Sequence, residues 1–504
     1  MRVELGRSWT LREIAALACG RAATRADIQD RVVSGLSVDS RVLEPGDLFV
    51  ALPGERVDGN AFVGEALRRG AAVLCTRIDD PEDAAVILHD QPLTGLQAWA
   101  TAYRGQLNAP LVGITGSVGK STVKELIACV LGGRPRVHAT PGNLNGQIGL
   151  PLALLGCSPS PRAAVLEMGI SRPGEMDRLA ALARPSVAVM TNVAMVHAEF
   201  FASLDEIADE KGEIFSRLEA RGAAVLCADD ARCERIAERL RQRSVRVVRY
   251  GTRAMSAAAG DHLRLTAAAG GPGGHYRVSL RGTIRDAPPI ALELIAPLPG
   301  RHSALNVAAA LAVGLVLGED PHVMSERLTT FRGLPMRLEV RSIGLPGGGT
   351  VSVLLDAYNA SPASVAAGAS TLLDMAAGGR AIAVLGDMLE LGPGSEQAHR
   401  NIGGLLAERG FSGIFTTGAL AKYIHDGAGA SAARPGMLCW QATHALLAAA
   451  VVAALQPGDH VLIKGSRGAA MERAFSEIVR LLAEPDSASA VSQGKRTACQ
   501  EFHS

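Results

Sequence analysis

The stretch Leu111-Val-Gly-Ile-Thr-Gly-Ser-Val-Gly-Lys-Ser-Thr122 joins an apolar run to a glycine turn and then to a segment of helical character. It predicts a buried strand over 111–115 and a helix from about 120 to 131. Backbone N–H groups at such a turn bind phosphate, and the helix N-terminus adds its dipole. Lys120 would reach the outer phosphates of a nucleotide and the Ser121 hydroxyl would ligate Mg²⁺. The stretch therefore predicts a P-loop of variant glycine spacing, with a plain strand–helix turn as the alternative.

Strand-length apolar runs alternate with helical stretches on both sides of this segment. Such alternation indicates mostly parallel sheets covered by helices. Residues 262–295 instead alternate polar and apolar positions, which predicts an antiparallel appendage. We therefore expect a three-domain α/β protein. Its predicted parts are a small N-terminal α/β domain (1–90), a central P-loop parallel-sheet ATPase domain (91–333), a C-terminal Rossmann-like domain (334–484) and a disordered tail (485–504).

Composition excludes several classes of function. The net charge is +1 and no basic block is interleaved with aromatics, which argues against nucleic-acid binding. The eight cysteines form no CxxC pair, which argues against zinc and favours a reducing compartment. The longest apolar run, Ala445–Leu455, is too short to span a bilayer. We expect a cytoplasmic monomer that inserts into no membrane.

Lysine is rare in this chain. Only six of the 51 basic residues are Lys and the rest are Arg, so a retained Lys can mark a need for a compact ammonium or for amine chemistry. The six are Lys120, Lys124, Lys211, Lys422, Lys464 and Lys495.

Three polar residues follow or adjoin predicted strands of the central domain. Glu167 closes the run 163–168, and ligands of open α/β sheets bind at strand carboxyl ends, where an acid can hold Mg²⁺. An ordinary strand-end carboxylate is an equal alternative. His197 follows the next run, although a lone His is more often structural. Lys211 lies beside three acids, so a surface salt bridge is the default interpretation. Its amine is also able to add CO₂ and become a carbamate.

Together these segments resemble the central domain of the Mur ligases. The resemblance is carried by the P-loop run, Gly142-Asn-Leu-Asn145, Leu166-Glu-Met-Gly169, Thr191-Asn192 with His197, and Glu210-Lys-Gly-Glu213. It implies a Mg²⁺ site at Ser121, Glu167 and His197. It also implies catalytic roles for Lys120, for a carbamoylated Lys211 and for Asn143 near the γ-phosphate. The ATP-binding residues that it implies are Thr115, Gly116, Ser117, Gly119, Lys120, Ser121, Thr122, Asn306, Arg337, Asp356 and Tyr358.

The outer domains resemble the family branch that acts last. The segments that show this resemblance are Leu36-Ser-Val-Asp-Ser-Arg41, Asp356-Ala-Tyr-Asn-Ala-Ser-Pro362, Gly386-Asp-Met-Leu-Glu-Leu-Gly392 with Glu396 and His399, and Val461-Leu-Ile-Lys-Gly-Ser-Arg467. This resemblance implies that UDP-N-acetylmuramoyl-tripeptide supplies the carboxylate and D-alanyl-D-alanine the amine. The substrate-binding residues that it implies are Ser37, Asp39, Ser40, Arg41, Asn145 and Asn359. Lys464 and Ser466 end a third-domain strand, and our hypothesis is that they bind the dipeptide carboxylate.

Some of these residues have plainer interpretations. For Ser37 and Asp39, the alternative to substrate binding is that they only cap a turn. Glu396 and His399 are able to form a solvated helix pair.

The resemblance implies an ATP-dependent carboxylate–amine ligase that works through an acyl-phosphate in peptidoglycan precursor synthesis, and so serves cell-wall growth, cell shape and division. Transfer of the γ-phosphoryl group gives the carboxylate a leaving group, and the amine then attacks. The alternatives are another Mur or folylpolyglutamate-type amide ligase, and a P-loop NTPase without ligase activity. A non-enzymatic scaffold is the least favoured.

Overall fold

The computed structural model describes residues 1–484 apart from 55–56, 79–83, 135, 196–198, 256–259 and 270–271. Three sheets follow one another along the chain, with helices between their strands. This arrangement confirms the predicted α/β class with a parallel P-loop sheet at the centre. His197 and the predicted tail lie outside the described residues. Within the described ranges, no helix combines the length and apolarity needed to cross a membrane.

The first sheet has six strands in the order β1-β3-β4-β5-β6-β2. Its inner strands pair in parallel, whereas β1 and β2 at the edges are antiparallel to their neighbours. The strands are β1 (Arg2–Thr10), β2 (Arg21–Ala22), β3 (Val32–Ser37), β4 (Asp47–Val50), β5 (Ala72–Cys75) and β6 (Val86–Leu88), and the helices are α1 (Leu11–Leu17), α2 (Ala26–Gln29) and α3 (Val63–Arg68).

The central sheet has nine strands in the order β15-β14-β13-β12-β11-β10-β7-β9-β8. Strands β7 to β13 are parallel, and β7 to β12 are mostly buried along their length, as their Ala, Val and Leu runs predict. The strands are β7 (Leu111–Thr115), β8 (Val137–Ala139), β9 (Ala163–Glu167), β10 (Val187–Met190), β11 (Ala223–Cys227), β12 (Arg246–Gly251), β13 (His262–Ala269), β14 (His275–Thr283) and β15 (Ile290–Pro299).

The last three strands of the central sheet form an antiparallel meander, which confirms the predicted appendage. Helices cover the sheet and connect its parallel strands. They are α4 (Pro92–Arg104), α5 (Lys120–Val130), α6 (Gly149–Leu155), α7 (Glu175–Ala183), α8 (Leu204–Gly212), α9 (Ala231–Gln242), α10 (Arg301–Val316) and α11 (Pro321–Leu328).

The third sheet has six strands in the order β16-β17-β21-β18-β19-β20. All its pairs are parallel except the β16–β17 pair. Its strands are β16 (Glu339–Gly344), β17 (Thr350–Asp356), β18 (Ala381–Leu385), β19 (Gly413–Thr417), β20 (Met437–Gln441) and β21 (His460–Lys464), and its helices are α12 (Pro362–Ala376), α13 (Ser395–Glu408), α14 (Lys422–Gly429), α15 (His444–Ala454) and α16 (Glu472–Ala483).

An aromatic cluster packs the first sheet against the central one. The Trp9 ring meets Trp99 and Tyr103 edge-on, at centroid distances of 5.6 and 5.3 Å. The Tyr103 hydroxyl donates to the Cys157 carbonyl at 2.6 Å. A Cβ on Gly6 of β1 would lie 1.7 Å from the same carbonyl oxygen. The two sheets are thus joined by a buried interface in which backbone approaches backbone.

The central sheet also contacts helix α12 of the third unit. Tyr276 of β14 donates its hydroxyl proton to the Asp374 carboxylate of α12 at 2.6 Å. The turn before α10 also meets α12, because a Cβ on Gly300 would lie 2.3 Å from Thr371 Oγ1. The domain boundaries after residues 90 and 333 stay predictions.

Candidate active site

The P-loop connects β7 to α5, and its glycines have conformations that other residues rarely adopt. Gly116 has a φ of 140° and Gly119, which precedes the helix, has a φ of 90°. A Cβ on Gly116 would lie 2.0 Å from the Thr191 hydroxyl oxygen. Only glycine therefore allows the loop to pass this close to the end of β10. The predicted nucleotide ligands Thr115 and Thr122 are buried on either side of the turn.

The segment after β10 holds the P-loop in shape. The backbone N–H of Ser117 donates to the Asn192 carbonyl at 3.0 Å, and the N–H of Val118 donates to the Asn192 side-chain oxygen at 3.0 Å. The Ser117 hydroxyl donates to the Ala194 carbonyl at 2.9 Å. Asn192 thus orients the loop that would surround the phosphates.

Two cations approach each other where the outer phosphates of a nucleotide would lie. Lys120 donates to the Gly116 carbonyl at 2.9 Å. Burial lowers the pKa of Lys120, the nearby Glu167 opposes this shift, and the charge of Arg337 adds to it. Arg337 stacks on the Tyr358 ring, with its guanidinium carbon 4.1 Å from the ring centroid. Positive charges from the central and third sheets are therefore gathered at one place, which favours a polyanionic ligand.

Glu167 is the buried acid at the carboxyl end of β9. Its Oε2 accepts from the Ser121 hydroxyl at 2.7 Å, and its Oε1 accepts from the Asn145 amide at 2.8 Å. Its backbone N–H donates to the Thr140 hydroxyl at 2.9 Å. The predicted metal ligands Ser121 and Glu167 are thus adjacent. A carboxylate and a hydroxyl beside a phosphate site form a donor set that suits Mg²⁺, which prefers oxygen ligands and usually retains substrate phosphates.

Lys211 is buried in α8, with only 2% of its surface exposed, so the interpretation as a surface salt bridge is wrong. Burial is the largest cause that holds the pKa of Lys211 well below its usual value, and the Lys120 charge lowers it further. Its neighbour Glu210 accepts instead from the backbone N–H groups of Gly174 and Met176, both at 2.8 Å, at the start of α7. A buried amine with a lowered pKa is more often neutral, and the neutral amine is the form that adds CO₂.

A cavity of about 420 Å³ opens beside the P-loop. Val118 and Asn192 line one side, and Tyr250, Leu305 and Asn306 line the other. A Cβ on Gly119 would lie 2.9 Å from the Asn306 side-chain oxygen, so α10 approaches the loop directly. Asp229, Asp230, Arg232 and His302 also line the cavity, and this combination of apolar, amide and charged groups suits the base and sugar of a nucleotide.

The carboxyl ends of β17 and β21 carry the predicted residues of the third domain. Lys464 donates to the Asp356 carboxylate at 2.5 Å, to the Asp356 carbonyl at 3.3 Å and to the Asn359 carbonyl at 2.8 Å. These contacts use the three protons of the ammonium group. The Ser466 hydroxyl donates to the Ala360 carbonyl at 3.2 Å and accepts from Leu389 N–H at 2.9 Å. Dipeptide binding by Lys464 and Ser466 stays a prediction. The observed hydrogen bonds show that both side chains hold the backbone at Asn359 and Ala360.

Only one member of the predicted helix pair of the third domain lies at the surface. His399 is fully buried in α13 and accepts from Met388 N–H at 3.0 Å, so the interpretation as a solvated pair is wrong for this residue. Glu396 instead contacts Arg400 at the surface, at 3.1 Å. His399 therefore holds the segment after β18 in place.

The predicted uridine-binding segment forms a turn at the end of β3. The Ser37 hydroxyl accepts from Asp39 N–H at 2.9 Å, and the Asp39 carboxylate accepts from the Arg41 backbone and guanidinium. The Arg41 hydrogen bonds lower the pKa of Asp39 to about 2. Ser40 is buried and Arg41 is exposed. These contacts match the turn-capping alternative, and substrate binding by this segment stays a prediction.

Sequence reasoning missed several residues of the central site. Thr140 anchors Glu167, and Tyr250 lines the nucleotide cavity. Lys124 lies 4.0 Å from Glu167 Oε2, and its only signal in the sequence is its status as one of six lysines. Exposed Asn143 and partly buried Asn145 follow Thr140 in one loop, as the predicted motif requires.

These features define a P-loop nucleotide-binding protein with two further α/β units. Three family profiles match the chain: "Mur ligase family, catalytic domain" at 32–92, "Mur ligase middle domain" at 114–314, and "Mur ligase, glutamate ligase domain" at 336–467. A Bacillus subtilis (strain 168) protein named UDP-N-acetylmuramoyl-tripeptide–D-alanyl-D-alanine ligase is 35% identical, over 93% of this chain and 98% of that protein. The Escherichia coli (strain K12) protein of the same name is 33% identical, over 90% and 95%. The chain belongs to the Mur ligase family.

Solved structures show the same three-part architecture. The crystal structure I of MurF from Acinetobacter baumannii has a TM-score of 0.81 at 27% identity, and the match covers 95% of this chain and 100% of that one. MurF ligase from Thermotoga maritima in complex with ADP has a TM-score of 0.73 at 28% identity, over 88% and 97%. The similarity extends beyond the P-loop unit to all three sheets, which decides against a P-loop NTPase without ligase domains.

Proposed function

We propose that this protein is an ATP-dependent ligase that joins D-alanyl-D-alanine to UDP-N-acetylmuramoyl-tripeptide in peptidoglycan precursor synthesis. The observation that carries the proposal is that Arg337, which stacks on the Tyr358 ring, lies close enough to Lys120 for its charge to lower the pKa of that ammonium group. Relatives of this name that align with nearly the whole chain supply the identity of the two substrates. The proposed enzyme acts as a cytoplasmic monomer.

The first half-reaction is transfer of the γ-phosphoryl group of ATP to the tripeptide carboxylate. Both reactants are anionic, so the site must offset their repulsion. Lys120, the N–H groups of the P-loop and the N-terminus of α5 supply positive potential on one side, and Arg337 supplies it on the other. Asn143, exposed at the tip of its loop, would orient the carboxylate oxygen that attacks.

Ser121 and Glu167 would hold Mg²⁺. The Ser121 hydroxyl oxygen and Glu167 Oε2 lie 2.7 Å apart at the carboxyl end of β9. The ion would supply charge neutralisation to the transferring phosphoryl group. The sequence also predicts His197 as a ligand, and that residue lies outside the described part of the chain. A carbamate on Lys211 would add a buried anion near Lys120 and would favour the charged form of this ammonium.

The second half-reaction is attack of the dipeptide amine on the acyl-phosphate, with release of phosphate. A cavity of about 480 Å³ lies between the central and third sheets. Phe201 and Ala202 line one side, and Pro362, Ala363 and Leu391 line the other. These apolar walls suit the two methyl side chains of D-alanyl-D-alanine, and they would keep water away from the acyl-phosphate.

The test is phosphate release from MgATP with UDP-N-acetylmuramoyl-tripeptide, with and without D-alanyl-D-alanine, followed by mass analysis of the product. We expect release that needs both substrates and a UDP-muramoyl-pentapeptide product. Release that ignores the dipeptide but needs a single amino acid would assign the chain to another amide ligase of the superfamily. Release that needs neither substrate would reject the ligase function.

A further inference from the structure

Lys124 is a buried cation that the proposed reaction has not used. It lies in α5 one turn after Lys120, and only 2% of its surface is exposed. Long charged side chains are almost never fully buried unless they are paired. In a chain that uses Arg for nearly all its positive charges, this position retains Lys. The side chain therefore has a defined task inside the protein.

The contacts of Lys124 point to one loop and one acid. Its Nζ donates to the Thr140 carbonyl at 2.7 Å and to the Gly142 carbonyl at 3.4 Å. It lies 3.3 Å from Glu125 Oε1 and 4.0 Å from Glu167 Oε2. The ammonium group thus joins α5 to the segment after β8, beside the predicted metal ligand.

That segment is residues 140–145, which we name the 140–145 loop. Its first residue, Thr140, accepts from Glu167 N–H at 2.9 Å, and its last, Asn145, donates to Glu167 Oε1 at 2.8 Å. The Asn145 carbonyl also accepts from Gly169 N–H at 2.8 Å. Both ends of the loop are therefore attached to β9, and Lys124 holds its first half from the α5 side. Asn143 lies at the exposed tip.

We infer that Lys124 is a positioning residue: it holds the 140–145 loop so that Asn143 faces the phosphoryl group and the acceptor carboxylate. The inference rests on the proposed function. A lysine is required because its compact ammonium donates to two carbonyls of one turn. The planar guanidinium of Arg is larger and directs its donors as a fork, so it would displace the loop.

The test compares Lys124→Met and Lys124→Gln with wild-type protein and with the control Lys422→Met, which changes an exposed lysine of α14. We expect kcat for pentapeptide formation to fall about 100-fold in Lys124→Met, since a displacement of about 1 Å is enough for such a loss. We expect a smaller fall in Lys124→Gln, because its amide is still able to donate to a carbonyl. The KM for ATP is expected to stay within about threefold, because the P-loop contacts persist.

Bound ADP per chain separates positioning from folding, because it counts intact nucleotide sites. If Lys124→Met only unfolds the protein, the number of ADP sites per chain falls by the same factor as the rate of pentapeptide formation. That result would overturn the inference. Lys124→Gln provides the same comparison if Lys124→Met fails to fold. An unchanged kcat per ADP site in Lys124→Met would also overturn it. Wild-type protein that joins no dipeptide to the tripeptide would instead reject the proposed function.

Discussion

Lys464 Nζ lies 2.5 Å from the Asp356 carboxylate, and the two residues are directly paired in register at the ends of β21 and β17. The side chain of Lys464 is 2% exposed and that of Asp356 is 15% exposed. Their charges therefore interact with little screening by water. The pair fixes the backbone of the segment after β17, which carries Tyr358 and Asn359.

Lys464→Met should destabilise the protein, because it leaves the Asp356 carboxylate buried without its partner. Removal of one member of a buried ion pair costs about 3–5 kcal/mol, and the partial exposure of Asp356 favours the lower end. Denaturant unfolding measures this loss, and adding Asp356→Asn to the variant should recover part of it. An unchanged free energy of unfolding with a raised KM for D-alanyl-D-alanine would instead support direct dipeptide binding.

Gly116→Ala should abolish nucleotide binding. The added Cβ would lie 2.0 Å from the Thr191 hydroxyl oxygen at a φ of 140°, so the P-loop or the end of β10 must move. The control is Gly318→Ala, which has a φ of 81° and no atom within 4 Å of the new Cβ. Gly318→Ala therefore introduces the strain of a positive φ, about 1 kcal/mol, but no contact between the new Cβ and a neighbouring atom. ADP titration by calorimetry distinguishes the two, and normal binding by Gly116→Ala would contradict the geometry.

Lys211→Met should stabilise the protein near neutral pH. The folded state holds the pKa of Lys211 well below the value of 10.5 that we take for the unfolded chain. Between these two values the unfolded chain binds more protons, so the stability of the wild type rises with pH across this window. The advantage of Lys211→Met should therefore be larger at about pH 7 than at about pH 10.

Unfolding in bicarbonate-free buffer measures this difference, because it keeps the Lys211 amine uncarbamoylated. Lys422→Met is the control and should show the same pH dependence as the wild type, since Lys422 is exposed. A Lys211→Met protein that is less stable than the wild type at about pH 7 would contradict the inferred cost of burial.

Ala363→Leu should raise the KM for D-alanyl-D-alanine about tenfold, because the larger side chain fills part of the cavity between Phe201 and Pro362. The KM for ATP should stay unchanged, since the nucleotide cavity is lined by other residues. Initial rates with each substrate varied in turn provide the measurement. Ala430→Leu, an exposed change after α14, is the control. Equal KM values for D-alanyl-D-alanine in the two variants would show that the dipeptide does not bind in this cavity.

Much of the central unit was predictable because its signals are local. Strand β7 spans the predicted residues 111–115, and the antiparallel meander falls on the alternating pattern of 262–295. The surroundings of Lys211 and Lys464 were not predictable, since burial depends on which helix or strand end packs against them. Lys464 meets Asp356 across 108 residues of chain. A sequence pattern indicates that a lysine is unusual, whereas only packing shows which oxygens it contacts.

The aromatic cluster of Trp9, Trp99 and Tyr103 has a consequence for how this enzyme would open and close. Separation of the first two sheets would expose these rings to water, whereas separation of the third sheet breaks the Tyr276–Asp374 hydrogen bond and widens a cavity that already lies between the sheets. The first two sheets are therefore expected to move as one unit, and the third sheet with its helices is expected to move relative to them. A small molecule bound in the cleft between the second and third sheets would hold the enzyme open, and it would occupy the cavity that we propose for D-alanyl-D-alanine.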